Sequence, residues 1–323
     1  MEGLRIEREL GRGAFGAVYL AEDELLGRRV ALKVMQAPGP GGPTDRGLLE
    51  ARAAARIKSP HIVMLHRVHT LPGHEGWLLE MEYVEGGSLD FDLATGKPLP
   101  LDRAVEIFRG VCQALKAAHA ARIIHGDIKP ANVMFGRDGI VKLTDFGLGC
   151  MLEGSAASFE LHGRIFGTPA YMAPEVMSGE EAGMASDIWA AGALFHQLLS
   201  GTHPFVAEDF VQLWTKVLQE EPEPLPDDVP EPLKELLSHC LAKEPDERAR
   251  GAGWILDELD RLAALDTRLA PAAAARTNPT NLTPATTSFV GRGPDLAALG
   301  ELLTDETVRV VTLMGPGGIG KTR

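Results

Sequence analysis

Short apolar runs separated by turn residues dominate the first forty positions of the chain. Residues 4–10 and 17–21 are strand-like and flank a glycine-rich segment, and a third apolar run covers residues 30–34. Turn residues bound this third run on both sides, at residues 27–29 and 38–43. The pattern predicts three successive β-strands, the first two joined through the glycines.

The glycine-rich segment has the residue types of a phosphate-binding loop. Glycine lets backbone amides approach phosphates closely and adopts backbone angles that other residues disfavour. In a dinucleotide-binding turn the last glycine would open a helix, whereas here a strand follows it. This favours a glycine-rich hairpin over a Rossmann turn, with these candidate nucleotide contacts: Gly11, Gly13, Phe15 and Gly16.

Lys33 is the one charged residue in the apolar run at residues 30–34. A lysine in such a strand usually extends its amine to water along the surface. Behind a glycine loop, however, the same amine is placed to reach phosphate. We therefore take Lys33 as a candidate nucleotide ligand.

Two short segments further along carry the residues of a phosphotransfer centre. Residues 125–132 read His-Gly-Asp-Ile-Lys-Pro-Ala-Asn, and residues 145–147 read Asp-Phe-Gly. Phosphoryl transfer needs a carboxylate beside the accepting hydroxyl, a cation near the moving group, and oxygen donors for magnesium. These segments contain all of them.

The order of these motifs resembles that of a protein kinase of the eukaryotic-like Ser/Thr class found in bacteria. The resemblance covers roughly residues 4–262, and the last motif in its order is the Ala-Pro-Glu triplet at 173–175. It implies an α+β, two-lobed fold, with a β-rich N-lobe over about 4–84 and a helical C-lobe over about 85–262. The kinase domain would then occupy residues 1–265.

The resemblance also implies a role for each polar site residue. Asp127 would orient the substrate hydroxyl and accept its proton, and Lys129 would neutralise charge on the γ-phosphoryl group. Lys33 would bind the α- and β-phosphates and pair with Glu50, which lies on a predicted helix over residues 48–57. A glutamate in such a segment is usually solvated. The implied magnesium ligands are Asn132 and Asp145.

The implied ATP site is completed by apolar residues. Val18 and Ala31 would cover the adenine from above and Met134 from below. Met81 would stand at the back of the pocket, and the backbone from Glu82 to Val84 would bind the adenine edge. The expected cofactors are ATP and Mg²⁺.

Several further residues would act as scaffolding. His125 would pack against Phe146 rather than act as an acid or base, although its ordinary pKa suits such chemistry. Asp187, at the head of an apolar helix over residues 188–199, would hold the catalytic loop. Glu175 would pair with Arg248, an ion pair that holds geometry more than it adds stability.

The substrates are expected to be proteins phosphorylated on Ser or Thr. Lys129 together with Gly-Thr-Pro at 167–169 is the pattern of serine/threonine kinases. Ser88 and Ala131 stand where arginine-directed kinases often have glutamate, so we expect no strong arginine requirement. Gly126 stands where kinases controlled by activation-loop phosphorylation carry arginine, so the usual partner for a phosphate on Ser155, Ser158 or Thr168 is missing.

Composition narrows the setting of the protein. The 323 residues include 45% hydrophobic and 24% charged types, enough for a large core, and the formal charge is −13. Such a charge argues against nonspecific binding of nucleic acid or anionic membrane by this portion. Three widely spaced cysteines, no signal peptide and no long apolar span indicate a cytoplasmic protein.

The C-terminal part changes character. Residues 266–287 are rich in Ala, Pro and Thr and read as a flexible linker. Residues 288–323 contain Phe-Val-Gly-Arg, an apolar strand at 308–314 and a P-loop pattern at 315–322, which together resemble the start of a STAND-type NTPase. Because no further strands or helices follow, we expect a truncated NTPase that binds no nucleotide by itself.

Two functions remain open. The first is an active Ser/Thr kinase that signals to an attached or partner NTPase. The second is a nucleotide-binding pseudokinase that regulates this NTPase, an alternative supported by Gly126 and by a small residue, Ala54, one turn after Glu50. Loss of Lys33, Asp127 or Asp145 would have favoured the second function, and all three are present.

Overall fold

A computed structural model describes residues 3–13, 16–36, 55–70, 76–146 and 169–269. All of them belong to the first of the two units into which the chain divides, Met1–Ala273. The predicted linker and NTPase fragment therefore lie outside the described residues. So do Phe15, Glu50 and residues 147–168.

The N-terminal half is a five-stranded antiparallel sheet with the strand order β1-β2-β3-β5-β4. The expected glycine-rich hairpin is confirmed, since β1 pairs directly with β2. All three predicted strands extend beyond the apolar runs that indicated them. The strands are β1 Leu4–Gly13, β2 Gly16–Asp23, β3 Arg28–Gln36, β4 Leu65–Thr70 and β5 Gly76–Glu82.

Alternation along β3 divides the sheet into two apolar faces. Val30 and Leu32 join a buried cluster on one face, whereas Ala31 joins the cluster of Met81 on the other. Because side chains alternate along a strand, Lys33 lies on the same face as Ala31. The buried amine therefore belongs to the face that carries Met81.

The C-terminal half is helical. Its helices are α1 Leu89–Leu93, α2 Leu101–Ala120, α3 Pro174–Met177, α4 Met184–Ser200, α5 Phe210–Gln219, α6 Glu231–Cys240 and α7 Ala252–Leu265. Helix α4 is buried along almost its whole length, as its mainly apolar sequence predicts. Phe195 of α4 stacks on Phe108 of α2 with ring centroids 4.1 Å apart. No helix among the described residues has the length and apolar character needed to cross a bilayer.

A short hairpin connects the two halves. Its strands are β6 Val133–Phe135 and β7 Val141–Leu143. The amide of Val63, from the segment before β4, donates to the Leu143 carbonyl over 2.9 Å, and the Leu143 amide donates to His61 over 2.8 Å. The hairpin thus fixes the sheet to the helical half just ahead of Asp145.

The observed halves match the expected two-lobed kinase fold. One local expectation was inaccurate: α4 begins at Met184, not at residue 188. Asp187 therefore lies inside the first turn of the helix rather than before it. Ser186, which the apolar pattern excluded, belongs to this turn, and its hydroxyl accepts the Gly183 amide over 3.0 Å.

Candidate active site

Asp187 holds the backbone of the catalytic loop. Its Oδ2 accepts the His125 amide over 2.8 Å and its Oδ1 accepts the Gly126 amide over 2.9 Å. His119 Nε2 lies 2.8 Å from Oδ2, and Asp187 is 1% exposed. A buried carboxylate needs such partners, because an unpaired one would cost several kcal/mol. The expected contact of Asp187 with the catalytic loop is present.

His125 is a structural member of this loop. Its Nε2 donates to the Thr144 carbonyl over 2.9 Å, and its Nδ1 accepts the Asp127 amide over 3.2 Å. One donor and one acceptor describe a neutral imidazole. Burial agrees, since it lowers the pKa of His125 below the ordinary histidine value. The ring also packs on Phe146, with centroids 4.5 Å apart, as expected.

Asp127 sits between two neighbours from its own loop. Lys129 Nζ lies 2.6 Å from Asp127 Oδ2. The side-chain Nδ2 of Asn132 donates to the Asp127 carbonyl over 2.7 Å and to Asp127 Oδ2 over 3.1 Å. Both side chains of the ion pair remain partly open to solvent, at 22% for Asp127 and 18% for Lys129. The carboxylate is thus oriented and still accessible to a substrate.

Asp145 meets Lys33 across the site. Lys33 Nζ lies 2.8 Å from Asp145 Oδ2, and the lysine side chain is 8% exposed. Asp145 has φ 66°, a left-handed angle that non-glycine residues rarely adopt. Such strain concentrates at functional sites, where the surrounding structure enforces it. The expected partner Glu50 lies outside the described residues, so its pairing with Lys33 stays a prediction.

One backbone bond links the two polar segments. The Thr144 amide, next to Asp145, donates to the Asn132 carbonyl over 3.0 Å. This bond brings Asn132, just before β6, and Asp145, shortly after β7, close together. Four residues that are distant in the sequence are brought together: Lys33, Asp127, Asn132 and Asp145.

The chemistry of these residues fits Mg²⁺ and phosphate. Asn132 uses its NH₂ group within the loop, which leaves its side-chain oxygen available as a ligand. Asp145 has a second carboxylate oxygen besides the one that meets Lys33. Magnesium prefers oxygen ligands and is often held by one or two side chains together with substrate phosphates. Lys33 and Lys129 place two cations beside these oxygen atoms, a charge that suits phosphate groups.

The apolar residues predicted to contact the adenine lie in both halves of the domain. Val18, Ala31 and Met81 belong to one cluster beneath the sheet. Met134, on β6 in the helical half, forms an isolated bridge with Ser88 just after the segment that contains Val84. Apolar side chains from both halves are thus available for a flat aromatic base.

Gly11 and Gly16 of the loop differ in the space that surrounds a Cβ. A Cβ at Gly16 would lie 1.8 Å from the Val34 carbonyl oxygen, and Gly16 has φ 133°. A Cβ at Gly11 would meet nothing within 4 Å. Gly16 is therefore required by the neighbouring strand, in addition to any need for close phosphate approach.

Two supporting contacts were not found from the sequence. His119 meets Asp187 across 68 residues, and Lys142 Nζ lies 2.9 Å from Glu82 Oε1 across 60 residues. Glu82 Oε2 also accepts the Met64 amide over 3.2 Å. Neither partner belongs to a short motif, so no local signal pointed to them.

The Glu175–Arg248 pair connects the region after the site to the helical core. Arg248 Nη2 lies 2.6 Å from Glu175 Oε2, with Arg248 fully buried. Burial opposes ionisation of Glu175, but hydrogen bonds from Arg248 and Ser186 outweigh it and lower its pKa. The expected pair is present.

Comparison with known proteins agrees with this geometry. Residues 4–256 match the family model described as the protein kinase domain. Serine/threonine-protein kinase PknA of Mycobacterium tuberculosis is 34% identical over 266 residues, which cover 80% of this chain and 61% of that protein. The probable serine/threonine-protein kinase SCO3848 of Streptomyces coelicolor is 34% identical over 279 residues, covering 82% of this chain and 40% of that protein.

A third relative, serine/threonine-protein kinase PknH of Mycobacterium tuberculosis, is 35% identical over 253 residues, covering 77% of this chain and 40% of that protein. The chain spans less than two thirds of the length of each of these relatives. The family model, in contrast, covers well over half of the chain, and its span contains the sheet, the catalytic loop and the Glu175–Arg248 pair. The chain therefore belongs to the protein kinase family.

Proposed function

We propose that this chain is an ATP-dependent serine/threonine protein kinase. The observation that carries the proposal is the meeting of two ion pairs, Lys33 with Asp145 and Lys129 with Asp127, beside the available oxygen of Asn132. Magnesium ATP would supply the phosphoryl group. The names of the relatives support this activity and the Ser/Thr class.

Each site residue then has a definite task. Asp127 orients the acceptor hydroxyl and takes its proton late in the transfer, while the O–P bond forms and the bond to ADP breaks. Lys129 neutralises charge on the transferred group, and Lys33 holds the α- and β-phosphates. Asn132 and Asp145 hold magnesium. The proposed partner of Lys33 is Glu50.

The acceptor surface supports a kinase without an arginine requirement. Ser88 donates its hydroxyl to Asp90 at the start of α1, and Ala131 is an exposed, uncharged member of the catalytic loop. Neither offers a carboxylate to an arginine of the substrate. Peptide arrays that vary the residues around Ser or Thr test this: a strong arginine preference on the N-terminal side would contradict it.

The activity test compares two chemically identical substitutions. The full chain, Asp127→Asn and Asp92→Asn are incubated with radiolabelled magnesium ATP and a generic protein acceptor. Asp92 is an exposed carboxylate of α1 that takes part in neither ion pair, so its loss should not abolish transfer. We expect label on Ser or Thr from the wild type and Asp92→Asn, reduced roughly 10²- to 10⁴-fold in Asp127→Asn. Equal labelling by all three would refute the assignment of Asp127.

A nucleotide-binding pseudokinase is the second candidate, favoured by Gly126. This residue is exposed and has a left-handed backbone, φ 77°, which favours glycine. It offers no side chain to an activation-loop phosphate. Absence of transfer in the wild type, together with retained ATP binding, would favour this function.

We further propose that the domain acts with a P-loop NTPase in the cytoplasm. The pattern at residues 315–322 supports the NTPase, and the free, buried thiols of Cys112 and Cys240 suit a reducing compartment. Removal of residues 288–323 tests the coupling through the phosphotransfer rate at saturating ATP. A changed rate supports coupling, and an unchanged rate contradicts it.

A further inference from the structure

A second concave site lies behind the catalytic loop. It is an open cleft of about 370 Å³ between the end of α2, the start of α4 and the start of α7. Lys116 and His119, one helical turn apart on α2, form one side, and Arg250 forms the opposite side. None of these residues takes part in the proposed phosphotransfer.

The cleft is positive in an otherwise acidic chain. Its lining includes Lys116, His119 and Arg250 but no aspartate or glutamate, whereas the whole chain has a formal charge of −13. Lys116 and Arg250 are both exposed, and neither forms an ion pair with any residue that the structure describes. Two cations that line the same cleft without an acidic partner among the described residues favour an anionic occupant.

The remaining wall of the cleft is apolar. Met184 is 41% exposed there, beside the buried Ile188. Methionine is flexible and polarisable, and it recurs on surfaces that accept peptide side chains. An occupant that carries both carboxylates and aliphatic groups would match this lining. A small inorganic anion would leave the methionine without a partner.

The cleft also touches the support of the catalytic loop. His119 lines it, with a side chain only 9% exposed, and its Nε2 contacts Asp187 Oδ2. Asp187 in turn binds the backbone of His125 and Gly126. An occupant would therefore lie against the network that holds Asp127 in place.

We propose that this cleft docks a short acidic segment of a partner protein, one with aliphatic residues between its carboxylates. Lys116 and Arg250 bind the carboxylates, and Met184 packs against the aliphatic groups. The inference does not depend on the proposed phosphotransfer, because docking is measured without ATP.

Two variants test the cleft by independent means. Lys116→Gln with Arg250→Gln removes its two rim charges. Gly253→Leu places an apolar side chain in it: a Cβ at Gly253 meets only Lys116 Cε, at 3.8 Å, so the substitution begins in open space. Replacing glycine within a helix also favours folding. The control variant, Lys58→Gln with Lys97→Gln, makes the same charge change at exposed residues away from the cleft.

The probe is a fluorescent ten-residue peptide of alternating glutamate and leucine, compared with its glutamine–leucine counterpart by anisotropy at low salt. We expect the glutamate peptide to bind the full-length chain at least about tenfold more tightly than the glutamine peptide. The rim-charge variant and Gly253→Leu should each weaken it about fivefold or more, and the control should not. Urea midpoints of all variants verify that they are folded.

Three results would overturn the proposal. The first is equal binding of both peptides, or no binding at all. The second is equal loss in the control and cleft variants, which would mean attraction by overall charge alone. The third is displacement of the peptide by millimolar inorganic phosphate, together with unchanged binding when alanine replaces the leucines of the peptide. This result would assign the cleft to a small anion.

Discussion

The sheet and the helical half hold their functional residues by different means. In the sheet, Lys33 is fixed by its strand and by one described ion pair, to Asp145. In the helical half, Asp127 belongs to a loop whose backbone amides donate to Asp187. His125 of this loop bonds to the Thr144 carbonyl, and the Asn132 side chain donates to the Asp127 carbonyl. Among the described residues, one side-chain contact holds Lys33, whereas several hydrogen bonds hold the loop of Asp127.

The buried cores of the two halves also differ, in size. Among the described residues, the sheet carries two small buried clusters, of five and four residues, one on each face. The helical half has one continuous core around α2 and α4. The contrast teaches that the larger buried core lies in the helical half, so we expect variants there to affect stability more than a variant at Lys33 in the sheet.

The largest expected effect is on stability, from Arg248→Met in the helical half. The substitution keeps the aliphatic stem but leaves Glu175, 8% exposed, without its cation. Removing one partner of a buried pair costs roughly 3–5 kcal/mol. Urea denaturation should show this loss, whereas Arg137→Met, which breaks the exposed pair with Glu85, should change stability by under about 1 kcal/mol. Equal, small losses in both variants would erase the contrast between buried and exposed pairs.

Acid should weaken the helical half next most strongly, through His203. Burial lowers its pKa from 6.5 to about 4. Between these pH values the unfolded chain binds a proton that the folded protein does not. Stability is therefore complete above pH 6.5 and falls as the pH drops, by about 2–4 kcal/mol for this group.

Urea unfolding at several pH values measures this contribution as a difference between two proteins. His203→Asn keeps an acceptor near the Phe205 amide, which His203 Nδ1 binds over 3.2 Å. The variant should lose less stability than the wild type between pH 6.5 and 4. Parallel pH profiles would show that His203 is protonated in the folded state.

Lys33→Met, in the sheet, should reduce activity strongly and stability only slightly, which is the opposite of what we expect for Arg248→Met. Asp145 is 21% exposed and can be hydrated when the amine is lost, so the unfolding free energy should change by under about 1 kcal/mol. The kcat/KM for ATP should fall at least tenfold, or about 1.4 kcal/mol. Lys58→Met, at an exposed site, is the control. A large stability loss would mean that this ion pair joins the two halves energetically.

The smallest effect is expected from Lys142→Met, at the junction of the halves. Its pair with Glu82 is partly exposed, at 15% and 31%, and such pairs contribute about 0.2–1 kcal/mol. Loss of the pair should loosen the end of β5 and weaken ATP binding about two- to fivefold. Titration with a fluorescent ATP analogue measures this, and Glu82→Lys combined with Lys142→Glu should restore binding. An unrestored double variant would show that the pair itself is not responsible.

Local pattern predicted the strands well because alternation and turn residues are local properties. β3 was found from residues 30–34 and needed only extension at both ends. The start of α4 was missed since Ser186 and Asp187 interrupt its apolar pattern, although both are buried in the structure. Their burial depends on partners elsewhere in the chain, namely the catalytic loop and Glu175.

The candidate site was predicted through ordered motifs and family resemblance rather than through periodicity. Asp127, Asn132 and Asp145 could be named because their spacing is characteristic. His119 and Lys142 could not, because each contacts a residue 60 or more positions away through an ordinary side chain. Gly16 was singled out for phosphate approach, yet the Val34 carbonyl requires glycine there independently.

Asp187 binds the main chain of the catalytic loop, so this contact does not depend on which side chain stands at residue 126. The bond to Gly126 uses its amide, which every residue except proline possesses. A residue other than glycine there would also bear the cost of a left-handed backbone, about 1 kcal/mol. The hold of Asp187 on the loop is thus independent of the side chain at position 126, where the resemblance places a regulatory arginine in other kinases. A change of regulation at this position would leave in place the contact made by a carboxylate some sixty residues further along the chain.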